Sequence, residues 1–236
     1  MKIKHFLFIL LLFSLTGWGP FTTSARAPLL SAPTLAANNW IDEQIKIINK
    51  KASNIDPAVL KLSLIAYLRA RYQGLDNKQL LTIIDYSKPS TERRLWVVDL
   101  KNEKVLFNTW VSHGKNSGEI ASTSFSNEPG SLKSSIGVFL TIDEPYVGSN
   151  GYSLRLAGLE HGINDNAYRR DIVFHGAWYV HPDVIRKYGL LGRSWGCPAV
   201  GEATVRPLIN TIKDKTVVVM YYPDRYWLHH SSFLTE

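Results

Sequence analysis

Residues 94–111 read Arg-Leu-Trp-Val-Val-Asp-Leu-Lys-Asn-Glu-Lys-Val-Leu-Phe-Asn-Thr-Trp-Val. Two short runs rich in valine and aromatic residues, 95–100 and 105–111, flank the polar Lys101-Asn-Glu-Lys104, the pattern of a β-hairpin. Downstream, residues 136–141, 154–157, 172–174 and 217–222 carry the same texture and are further strand candidates. Helical spacing is scarcer there: residues 179–188 and 202–212 are the two candidates. The expected class is mainly β within an α+β fold, its sheet-forming part spanning 90–224 and followed by a tail at 225–236.

Upstream the periodicity changes. Ile41, Ile45 and Ile48 recur at helical spacing. Asp56-Pro57 then reads as an N-cap followed by proline at the first helical position, with Leu60, Leu64, Tyr67 and Leu68 forming a stripe that stops near Gly74. A third short helix is expected over 78–85, making 39–86 a helical N-terminal segment. Residues 26–38, with two prolines and little periodicity, read as a linker. Residues 1–25 place Lys2 and Lys4 before an apolar stretch and then small residues, the order of a secretory signal. That apolar stretch is about half of the ~20 residues a membrane-spanning helix needs, so no stable insertion is expected once it is cleaved.

The 236 residues are 45% hydrophobic and 20% charged, enough for a substantial core and incompatible with intrinsic disorder or a collagen-like fibre. The formal charge of +7 suits an anionic partner without choosing among nucleic acid, lipid and wall polymer. The cations are scattered and no nucleic-acid recognition motif is present, which argues against nucleic acid. A single cysteine, Cys197, excludes an intramolecular disulfide and any CxxC knuckle. It is left as a working thiol, an intermolecular link or a small buried hydrophobe.

Unusual residues are densest in Ile172-Val-Phe-His175-Gly176-Ala-Trp178 and in Gly192-Arg193-Ser194-Trp195-Gly196-Cys197-Pro198. A histidine ending an apolar strand and a cysteine in a glycine-bearing loop meet the requirements of a thiol nucleophile with its base. The thiolate is the reactive form, so a site must lower the thiol pKa with a cation or a helix N-terminus. Arg193 and the helix expected from Glu202 are available. Gly196 allows a tight bend, and the N–H groups around Gly196 and Cys197 can face an oxyanion. Against this stands a core histidine beside an inert thiol.

Ser194-Trp-Gly-Cys197, with His175-Gly176 beginning 22 positions before the cysteine, resembles the signature of the YkuD family of L,D-transpeptidases, a histidine followed at a distance by Ser/Thr-His-Gly-Cys. The run GLEHGINDNAYRRDIVFHGAWYV at 158–180 with GRSWGCPAV at 192–200 is similar to its divergent murein L,D-transpeptidase catalytic-domain branch, as are VSHGKNSG at 111–118 and SSIGVFLT at 134–141. The resemblance covers about 90–222. It implies a YkuD-like β-sandwich, Cys197 as nucleophile, His175 as base, and the Gly176 carbonyl orienting the imidazole. It implies no cofactor and no metal. Ser194 matches the signature's Ser/Thr. Arg193 suits a substrate carboxylate, Trp195 a wall of the acyl pocket, and His113 an approach from a neighbouring loop. Trp195 stands where most relatives have a second histidine, Pro198 follows the cysteine directly, and the His-to-Cys interval is slightly long.

The function implied is acylation of the cysteine by a peptidoglycan tetrapeptide stem, release of D-alanine, and transfer to an amine acceptor in the bacterial periplasm or cell wall. The competing readings are an L,D-carboxypeptidase or wall-trimming hydrolase with the same acyl-enzyme, and an inert wall-binding module. A zinc site on His175, His181 and Cys197 is the remaining reading, demanding three well-placed ligands and a second shell.

Overall fold

The structure, a computed structural model, describes residues 35–235; the expected signal segment and most of the expected linker lie outside them. Two helices open the described chain, α1 (Leu35–Lys51) and α2 (Pro57–Tyr72). Asp56 caps α2 by accepting the Ala58 N–H at 2.7 Å, and Pro57 follows at the start, as its sequence demands. Ile41 and Ile48 of α1 and Leu60, Leu64 and Tyr67 of α2 are buried, so the apolar stripes face the core. No helix among the described residues is long and apolar enough to cross a membrane.

The third expected helix is a strand. Residues 78–85 contain β1 (Leu80–Asp85), every residue of which is buried. Leu-Leu-Thr-Ile-Ile-Asp is apolar on both faces, and a continuous apolar run of this length cannot be told from buried helix by period alone. Its β-branched Thr82, Ile83 and Ile84 favour the pleated state. β1 pairs antiparallel with β2 (Leu95–Asp99) and parallel with β8 (Val217–Tyr221), so the sheet reaches back into the segment read as purely helical.

β2 and β3 (Lys104–Thr109) form the expected hairpin around residues 101–103. β4 (Gly137–Gly148) and β5 (Gly151–Gly158) form a second, longer one. β6 (Val173–Gly176) and the two-residue β7 (Ala199–Val200) complete one mixed sheet in the order β3-β2-β1-β8-β4-β5-β6-β7. The protein is thus sheet-dominated with helices at the N-terminal side. Between β6 and β8 lie α3 (Pro182–Tyr188) and α4 (Glu202–Ile212), the latter with the bounds expected from its periodicity.

Residues 225–236, expected as a tail, carry α5 (Arg225–His230). Trp227 is 1% exposed. Its indole N–H donates to the Glu160 carboxylate at 3.1 Å, which also accepts the Val138 N–H at 2.6 Å and the Ser231 hydroxyl. Burial raises the Glu160 carboxyl above its ordinary value even with these donors, a sign of how dry this anchor is.

Candidate active site

Strand β6, one in from the sheet edge, carries His175, which registers in parallel with Ala199 of the edge strand β7. Neighbouring strands lie ~4.8 Å apart, and Cys197 is two residues before Ala199, so the sheet register brings the 22-position interval together in space. The ring is 6% exposed and its Nδ1 hydrogen-bonds the Gly176 carbonyl at 3.0 Å. That bond fixes the proton on Nδ1 and leaves the lone pair on Nε2. Burial lowers the imidazole pKa, the Gly176 bond opposing it, so the neutral form is favoured. Gly176 itself packs flush against α4: a Cβ there would meet Val205 Cγ1 at 2.9 Å.

The cysteine loop is built by hydrogen bonds to its own hydroxyl. Ser194 Oγ donates to the Cys197 carbonyl at 2.6 Å and accepts the Gly196 N–H at 3.1 Å. Gly196 has φ +125°, in the region that excludes other residues, and a Cβ there would come within 2.8 Å of the Lys133 carbonyl. The Gly196 N–H is therefore engaged by Ser194, and among the described residues the Cys197 N–H is the one of the pair without a protein acceptor. The expectation that both face an oxyanion narrows to Cys197.

Cys197 is 9% exposed and its thiol donates to the Asp171 carbonyl at 3.4 Å. Burial pushes its pKa up, and hydrogen bonding from the Val173 backbone pulls the other way. A raised thiol and a lowered imidazole together favour the neutral pair over a preformed thiolate–imidazolium.

His175, Arg193, Ser194, Trp195 and Cys197 line one open cavity of about 240 Å³, joined by Asn150 and Tyr179, which the sequence reading left out. Tyr179 stacks against Gly192, where a Cβ would come within 2.5 Å of its ring, and burial raises its phenol to about 12. The signal for Tyr179 was Gly192 itself, a glycine at no turn, which marks a close approach. Trp195 is 75% exposed at the mouth, and Arg193 donates to the Gly118 carbonyl at 3.1 Å. A larger cavity of about 420 Å³, lined by Trp110, Trp178, His181 and Glu202 among others, holds neither His175 nor Cys197.

His113 does not line the cavity. It is fully buried, its Nδ1 accepting from Arg94 at 2.8 Å and its Nε2–H donating to the Gly118 carbonyl at 3.2 Å. An arginine has no lone pair to give, which sets that tautomer. Burial and the Arg94 charge push His113 down to about 4. What His113 offers the site is its backbone: its carbonyl accepts the Ser194 N–H at 2.9 Å, and Lys115 N–H donates to the Ser194 carbonyl at 2.8 Å. The direct substrate contact expected of His113 is thus replaced by support of the cysteine loop. Among the described residues no group of three His, Cys, Asp or Glu side chains is placed to hold a metal; His181 instead caps α3, its Nδ1 accepting the Asp183 N–H at 3.2 Å.

A family model described as an L,D-transpeptidase catalytic domain matches residues 51–221. No curated protein matches the chain. Among solved structures, the LD transpeptidase LdtMt1 in complex with imipenem is 15% identical over 61% of this chain and 59% of that one, with a TM-score of 0.37. An L,D-transpeptidase from Mycobacterium smegmatis is 13% identical over 61% and 59%, with a TM-score of 0.36. One from Stackebrandtia nassauensis is 12% identical over 77% of each chain, with a TM-score of 0.35. The chain thus spans 59% of the length of the first two.

Proposed function

Because the chain belongs to the L,D-transpeptidase catalytic-domain family, we propose that it is a cysteine-dependent peptidoglycan L,D-transpeptidase with Cys197 as nucleophile and His175 as base. One arrangement supports this above the rest: thiol and imidazole line a single cavity, and the Gly176 carbonyl holds Nδ1 so that the basic nitrogen is Nε2. The directions of the two pKa shifts support proton transfer during attack rather than before it.

His175 Nε2 takes the thiol proton as Sγ bonds to the carbonyl carbon of the diaminopimelate residue in a tetrapeptide stem. The Cys197 N–H faces the oxyanion that forms. The intermediate collapses by breaking the C–N bond to terminal D-alanine, whose amine receives the proton from His175. An amine of a neighbouring stem or another wall component then attacks the thioester and restores the thiol. Arg193 holds a stem carboxylate and Trp195 walls the acyl group; their place on the cavity supports both roles. Substrate and signal-like N-terminus together support export to the periplasm or wall.

The test is incubation of the mature protein and Cys197→Ala with a purified disaccharide-tetrapeptide, with products resolved by mass spectrometry. Dimers lacking one D-alanine, formed only with Cys197, are expected. Tripeptide and free D-alanine without dimer would make the protein a carboxypeptidase, and untouched substrate would leave the inert wall-binding module.

A further inference from the structure

Arg170 lies half-buried behind the nucleophile with no carboxylate oxygen within 4.0 Å among the described residues. Its guanidinium is anchored instead by neutral acceptors: Nη1 donates to the Ser126 carbonyl and the Ser135 hydroxyl, Nη2 to Ser131 Oγ at 3.2 Å and the Lys133 carbonyl at 2.6 Å. Nη2 is 3.5 Å from the position a Cβ on Gly196 would occupy, so the charge sits directly under the residue before the cysteine. The next residue in the chain, Asp171, accepts the Cys197 thiol on its carbonyl. One dipeptide therefore holds the thiol through its backbone and backs it with a fixed cation.

A guanidinium that gives up water for a cluster of hydroxyls and carbonyls is costly to bury, and the one carboxylate that acts on it among the described residues, Glu128, does so from beyond ion-pair distance and leaves the charge only partly compensated. We propose that Arg170 is a positioning residue for the nucleophile: fixed by the 126–135 loop, it supplies the positive charge that stabilises the Cys197 thiolate as the proton leaves. This rests on the transpeptidase reading of Cys197. It also reassigns the cation expected of Arg193, whose guanidinium is directed to the Gly118 carbonyl on the cavity side.

The other ionisable groups around the thiol do not replace it. Tyr86 and Tyr179 are raised to about 12 and stay uncharged, and His175 is held toward its neutral form. The Asp171 carboxylate opposes the thiolate and is itself paired with Arg155 at 2.5 Å. Burial raises the thiol while Arg170 draws it down, and the thiolate, together with the Glu128 carboxylate, in turn favours the charged guanidinium.

The experiment is the pH dependence of Cys197 alkylation by iodoacetamide in the full chain, for the parent, Arg170→Lys and Arg170→Gln, on samples whose circular dichroism is native. It uses no wall substrate, so its outcome is independent of whether the protein transfers or hydrolyses. Arg170→Gln is expected to raise the alkylation midpoint by about one pH unit and to slow labelling at neutral pH about tenfold. Arg170→Lys, which keeps the charge and loses the forked anchoring, is expected to stay within about 0.3 unit of the parent. Coincident parent and Gln profiles overturn the proposal, as do Lys and Gln profiles shifted equally. Should Arg170→Gln not fold, Arg170→Met takes its place beside Arg170→Lys: a midpoint raised about one unit in the Met variant alone upholds the role of charge, and a parent-like Met midpoint overturns it.

Discussion

Ser194 and Cys197 are tied across the tip of the cysteine loop, the serine hydroxyl donating to the cysteine carbonyl at 2.6 Å. The same oxygen accepts from Gly196, so one hydroxyl fixes both flanks of the peptide that carries the thiol. Ser194→Ala removes both bonds from a buried site. The expected cost is about 1–2 kcal/mol of stability, since two polar backbone groups lose a partner, with a fall in turnover of about ten- to a hundredfold at unchanged fold. Ser194→Thr keeps the hydroxyl and is expected to recover most of the rate. Thermal melts alongside D-alanine release would check the split; equal loss in both variants would sink it.

His175 is held by Gly176 and pushed toward its neutral form by burial. In its proposed role of general base it works when unprotonated, so the acid limb of kcat/KM is expected to fall below the 6.5 of a free imidazole. His175→Gln should lose about 10²–10⁴ of the rate and the acid limb with it. Rate measurements from acid to neutral pH test this, and an acid limb above 6.5 would contradict the assignment.

His113 links pH to folding. Its folded pKa of about 4 lies below the unfolded 6.5, so the folded protein resists its protonation. Its contribution is fully present above pH 6.5 and is lost as the pH falls from there toward about 4, up to roughly 3 kcal/mol in all. His113→Gln, which can still accept from Arg94 through its amide oxygen, is expected to flatten this part of the stability curve. Urea titrations at a series of pH values would show it; a slope unchanged by the substitution would place the acid sensitivity elsewhere.

Trp227 docks the C-terminal helix onto Glu160. Trp227→Ala leaves a large cavity and takes one donor from a buried carboxylate, with an expected loss of about 3–5 kcal/mol. Trp227→Phe keeps most of the volume and should lose considerably less. Denaturant midpoints for the pair separate packing from the hydrogen bond, and parent-like stability in the alanine variant would mean that α5 is only loosely seated.

Much of this was legible beforehand because short-range chemistry carried it. The cap at Asp56-Pro57, the hairpin at 95–111 and the bounds of α4 follow from local pattern, and a strand-end histidine with a loop cysteine announces itself by residue type. β1 was misread because a strand buried on both faces has no two-residue alternation to display, and its partners are distant in sequence. Trp227 in the supposed tail was opaque for a similar reason: its anchor, Glu160, lies 67 positions away. Arg170 and Tyr179 reach the site through space, from segments whose local composition looks ordinary. His113 drew notice for the chemistry of its ring, whereas its place in the site comes from its carbonyl.

The parallel pairing of β1 with β8 places the earliest strand and the last one side by side in the middle of the sheet. A chain emerging amino end first from a ribosome or a translocation pore must keep Leu81, Ile83 and Ile84 waiting until residues 217–221 arrive. Closure of so long a loop makes for slow folding, and until it happens β1 and β4 each offer an unprotected apolar edge. The centre of the sheet is therefore closed only once residues 217–221 have been made, and a chain cut short before Val217 is expected to aggregate.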